Sequence, residues 1–174
     1  MLIGRVLTAL SLVAALLSGL PSSALDSEGS RATLKGLRGV SVTVEEFQEA
    51  AKRAGFDERT FQTDIELRLR MAGIKVLSQS ESLESPGMPS LYFNVATLHE
   101  RPNEIVAYSI NIELNQMAML ARHPSLVRDP SLVFPVTTWS TGGIRQGHIP
   151  YIRQHAKDLT DRFVNAWLSV NPKE

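Results

Sequence analysis

The chain has 174 residues, no cysteine, equal numbers of basic and acidic residues (18 each) and only 6% aromatics. That balance provides no basic field for phosphate backbones and few platforms for stacking bases, so nucleic acid is not an expected partner. The missing cysteines exclude a disulfide scaffold, and the fold must rest on a hydrophobic core alone.

Residues 1–24 read as an export signal. Arg5 supplies the charged start, an apolar run follows from Val6 to Leu17, and Pro21-Ser22-Ser23-Ala24 offers small residues before a cut after Ala24. The run is shorter than the roughly 20 residues a membrane span needs. Leu25 and Asp26 follow in place of a lipid-bearing cysteine. The expectation is a cleaved product, periplasmic or secreted, that is not a lipoprotein and has no membrane span. Removing 24 residues leaves 150, the size of one domain, with one more acid than base because Arg5 leaves with the signal.

Residues 25–36 are small and polar and predict a flexible tether ahead of a single domain at 37–172. Val40, Val42 and Val44 alternate with small or polar residues, which predicts a first strand. Phe47, Ala50, Ala51 and Ala54 have helical spacing, with Gly55 placed to end a short helix. Over 57–72, Phe61, Ile65, Leu69 and Ala72 form one stripe, Asp57 caps the start and Gly73 the end. Asp64 with Arg68 and Glu66 with Arg70 are i,i+4 pairs with the acid placed first. Ile74 to Leu77 predicts a short strand parallel to the first, and Ser78 to Pro89 a loop.

Two runs, 91–98 and 105–120, predict an antiparallel hairpin. In the second, Val106, Tyr108, Ile110, Ile112 and Leu114 share one face, and Ser109, Asn111, Glu113 and Asn115 the other. A strand that long would span about 50 Å, which predicts a bulge, bend or protruding hairpin. Residues 122–133 repeat a six-residue pattern (Arg-His-Pro-Ser-Leu-Val, Arg-Asp-Pro-Ser-Leu-Val) and read as a duplicated surface loop. Val136 to Thr141 predicts a last strand. After a glycine loop, Pro150 opens a closing helix with its stripe on Ile152, Ala156, Leu159, Phe163, Trp167 and Val170. The order β-α-β-β-β-β-α is that of an α+β two-layer sandwich: a mixed, mostly antiparallel sheet with both helices on one face.

Chemistry-bearing motifs are sparse. Gly142 and Gly147 have the spacing of a phosphate-binding loop, but His148 and Ile149 stand where lysine and a hydroxyl are needed. His99-Glu100 opens like a zinc-protease motif, yet Pro102 and Asn103 break it. Ser140 lacks the glycine two residues before it that a nucleophile elbow needs, since Thr138 is there. The four histidines read as surface or rim residues. The reading is therefore a non-enzyme without cofactor or metal, whose one candidate anion or ligand site is Arg145, His148 and Tyr151 beside the start of the last helix.

The run from Gln62-Thr63-Asp64-Ile65-Glu66 through Met71-Ala72-Gly73-Ile74-Lys75-Val76 resembles the helix–glycine–strand element of small bacterial envelope domains. With the long hairpin, Thr137-Thr138-Trp139 and the closing Phe163…Asn171-Pro172 helix, the order is similar to uncharacterised exported proteins, to the N-terminal domain of TolB and to auxiliary lipoproteins of envelope ABC transporters. The chain differs from TolB in having no propeller and from the lipoproteins in lacking their cysteine. The resemblance implies a binding role. The expected function is an exported, non-enzymatic domain that binds another envelope component by its hairpin or a sheet edge. The alternatives are a small-molecule or anion-binding protein, or a hydrolase, using the 142–151 loop, and a homodimer joined through edge strands.

Overall fold

The computed structural model describes residues 25–53, 55–97, 106–119 and 133–172. Alternation of apolar residues makes the sheet. β1 (Ser41–Val44), β2 (Ser90–Thr97), β3 (Val106–Ala118) and β4 (Phe134–Gly147) lie in that order, β1 parallel to β2 and the rest antiparallel. Tyr108, Ile110, Ile112 and Leu114 of β3 are buried with Leu91 and Phe93 of β2 and Trp139 of β4. The other face carries Asn94, Asn111, Glu113 and Asn115, all partly exposed. This is a sheet covered on one side. β3 itself runs on unbroken, and the bulge opposite Leu114 and Asn115 lies in β4, where Thr138 is the extra residue between Thr137 and Trp139.

Two helices cover the apolar face: one at Glu58–Met71, with Phe61, Ile65 and Leu69 buried, and the closing helix at Ile149–Val170. Three short helices accompany them, so in chain order they are α1 (Glu28–Ala32), α2 (Glu49–Arg53), α3 (Glu58–Met71), α4 (Gln79–Glu84) and α5 (Ile149–Val170). The α+β two-layer architecture is the one the sequence predicts. The Asp57 carboxylate caps α3 by accepting from the Thr60 amide, and Gly73 takes the left-handed conformation just after it, at φ 83°.

Several local expectations are corrected. Ile74–Leu77 makes only one parallel bridge, Val40 to Val76, because Ser78 at once starts α4 with a reciprocal Ser78–Glu81 capping box. The stretch expected to be all loop therefore contains a helix. Gly142 to Gly147 is strand rather than a glycine loop. A side chain at Gly142 would strike the Ile110 carbonyl at 2.6 Å, so glycine here permits close approach of β3. Of the two predicted pairs on α3, Arg70 does meet Glu66 at 2.7 Å. Asp64 instead pairs with Arg153 and Lys157 of α5, at 2.5 and 3.4 Å, and Arg68 with Asp161 at 2.6 Å. Those charges stitch one helix to the other.

The largest correction concerns residues 25–36. They form α1 and a turn, and Leu34 is wholly buried, so the packed unit begins before residue 37. Leu25 bridges Ser140 on β4. Asp26 accepts the indole N–H of buried Trp139 at 2.8 Å and takes a two-pronged bond from Arg31 at 2.6 and 2.9 Å. Asn171, just past α5, donates to the Leu34 carbonyl and accepts the Gly36 amide. The polar residues that resemble a tether are instead spent on caps and cross-chain bonds. The signal at 1–24, the hairpin tip at 98–105, His123 and the first eleven residues of the 122–133 duplication lie outside the described residues.

Candidate functional site

Alternation along a strand decides which backbone groups an edge presents. On β1 and its flanks, the amides of Ser41 and Glu45 donate toward β2, to the carbonyls of Pro89 and Phe93. Val40 bonds the other way, to the Lys75 carbonyl and the Leu77 amide. Val42 and Val44 therefore turn their N–H and C=O groups to the outer edge, past the point where the chain departs into α4. Among the described residues, their one outward partner is the Gln62 side-chain amide, 3.5 Å from the Val42 carbonyl.

A groove of about 780 Å³ runs beside this edge, walled by α3, α4 and the β1 residues themselves. Its charges are matched internally: Arg70 bonds Glu66, and Lys75 bonds Glu81 at 2.6 Å. The Lys75 bond, with help from the Ser78 amide and hydroxyl, pulls the Glu81 carboxyl down to about 2. The hydroxyls of Ser41 and Ser82 lie 3.1 Å apart and both reach the Pro89 carbonyl. The groove thus offers unused backbone groups between neutral polar walls, with its hydroxyls engaged rather than poised as nucleophiles.

A second concavity lies where β4 hands over to α5, which is where Arg145, His148 and Tyr151 fall. Arg145 and Tyr151 line a pocket of about 380 Å³ together with Tyr108, Gln154, His155 and Asp158. His148 is the N-cap of α5, makes no side-chain cap bond, and stands at the rim with its ring 6.5 Å from that of Tyr151. So two of the three sequence-predicted residues share a cavity and the third borders it.

His155 was not foreseen there. It is 3% exposed, packed edge-on to Tyr108 at 5.8 Å, and its Nδ1 is buried with no hydrogen-bond partner. Burial drives the imidazole down to about 4, with the positive charge of Arg145 adding to the effect, so the ring is neutral. Burial also raises the Tyr108 phenol. The reading of all histidines as surface or rim residues therefore fails at this position. Its signal was available: His155 stands three residues after Ile152 and four before Leu159, on the apolar stripe of α5.

Among the described residues, no group of three or more His, Cys, Asp or Glu is placed to hold a metal ion, and no helix is long and apolar enough to cross a membrane. No family model matches the chain, and no curated protein matches it.

Proposed function

We propose that this protein is an exported, non-enzymatic domain of the cell envelope that takes an extended segment of a partner protein onto the outer edge of β1. One observation carries the reading: Val42 and Val44 turn their backbone groups to the outer edge of β1, where the Gln62 amide is their one partner among the described residues, and Val42 borders an open groove. An added strand bonds to such groups directly, and affinity then comes from main-chain bonds. The protein's own Val76 already makes the first rung of that addition. Export rests on the signal pattern in residues 1–24, and the non-enzymatic reading on the lack of an assembled nucleophile and base among the described residues.

The test begins with a photo-crosslinker at Gln62, which faces the groove, in the native host. A specific envelope adduct is expected, lost when Val44→Pro removes one outward N–H while leaving the bonds to β2. Adducts that persist unchanged in Val44→Pro, or that form only from the 98–105 and 120–132 segments, overturn the edge as the docking site. Recovery of the protein in the cytoplasm with residues 1–24 attached overturns export.

A further inference from the structure

We propose that the pocket between β4 and α5 binds a small zwitterion of dipeptide size, its carboxylate on Arg145 and its ammonium on Asp158. This site is separate from the β1 groove and does not depend on it.

The cavity has opposite charges at hand that are not spent on each other. Neither Arg145 nor Asp158 makes an ion pair among the described residues. Asp158 instead accepts a bond from Gln154 at 2.8 Å. Both act on His155 and on Tyr108 from the pocket wall, with opposite sign. The positive end also lies beside the start of a 22-residue helix, whose dipole adds to the charge of Arg145, although Pro150 has no N–H to offer and the Tyr151 amide is given to the His148 carbonyl. The negative end lies farther along α5, since Tyr151 and Asp158 are seven residues apart, about 10 Å at 1.5 Å per residue.

Size narrows the ligand. At 380 Å³ the cavity is near the small end of ligand pockets. A dipeptide spans at most about 7 Å between its ends, which the reach of the Arg145 and Asp158 side chains can complete. Tyr108 and Tyr151 belong to the same lining. His155 belongs to it too, so its ring reports on anything bound there.

The probe is L-Ala-L-Ala, titrated into the purified protein while the His155 ring resonances are followed by NMR. Saturable movement with a Kd below about 10 mM is expected for so small a ligand. The N-acetylated and C-amidated dipeptides, each lacking one charge, should bind at least tenfold more weakly. Arg145→Gln should remove binding, and Asp158→Asn should erase the preference for a free amine. Both side chains are exposed, and an unchanged melting temperature confirms that the variants fold. Alanine and 6-aminohexanoate separate the amide-bearing dipeptide from shorter or plainer zwitterions. Equal binding of the N-acetyl dipeptide reduces the site to an anion pocket and overturns the proposal, as does the absence of any saturable shift. Neither result affects the crosslinking test of the β1 edge.

Discussion

The two edges of the sheet are treated in opposite ways. At β4 the chain returns to its own edge: Leu25 bridges Ser140, Asp26 holds the Trp139 indole, and α1 lays Leu34 into the core. At β1 the corresponding return lasts one rung and then leaves through Ser78 into α4. Unpaired edges invite pairing with other chains, and proteins usually cover or blunt them. One edge here is strapped and the other stops short beside a groove, which is why the proposed docking falls on the short one.

The strongest way to break the sealed side is Trp139→Ala. Trp139 is fully buried and packs edge-on to Phe163 at 5.2 Å. The loss should be about 3–5 kcal/mol by denaturant unfolding. A loss under about 1 kcal/mol would mean that the strapped edge contributes little.

Next is acidity at the β4–α5 corner. His155 titrates at about 4 in the fold against 6.5 unfolded, so the unfolded chain binds the extra proton. Its contribution is full above pH 6.5 and is lost as pH falls toward 4, at most about 3 kcal/mol by the size of the shift. Unfolding free energies measured across that range should fall with pH in the native protein and fall less in His155→Phe. Identical slopes would remove His155 as the cause.

Asp26→Ala cuts the strap and leaves the Trp139 N–H without its partner, which should cost about 1–3 kcal/mol. The Arg31 bond, opposed by burial and helped by Trp139, holds the Asp26 carboxyl below its ordinary value. Its stabilisation is therefore present above the ordinary carboxylate range and lost on acidification through the lowered value. An Asp26→Ala variant as stable as the native chain would show that residues 25–36 sit on the domain without holding it.

The smallest effect belongs to the open side. Val44→Pro removes an N–H that has no partner among the described residues, so unfolding should change by less than about 1 kcal/mol. A large loss would show that the edge is already in use within the fold, which removes the contrast.

The elements with strong periods were legible from residue order. Phe61, Ile65 and Leu69, the alternation from Tyr108 to Leu114, and the Asp57 and Gly73 ends of α3 each state their conformation within a few positions. The Ser78–Glu81 capping box was equally local but lay in a serine-rich stretch without an apolar period, and so read as loop. At the second concavity, Arg145 and Tyr151 could be picked out as neighbours of a helix start. Tyr108, thirty-seven residues before Arg145 in the chain, joins them only because Tyr108 and Arg145 are cross-strand partners in β3 and β4.

Residue order by itself determined the α+β class, the covered and wet faces of the sheet, and the ends of its long helix. These follow from side-chain period and from backbone preferences that act over a turn or a strand pair. Tertiary structure decided that Asp64 and Arg68 serve α5 rather than each other, that residues 25–36 are a strap rather than a tether, and that His155 is buried with an unpaired nitrogen. In each case the deciding partner lies more than eighty residues away or on a packed neighbour, and no local period encodes which distant group a charge or ring will meet.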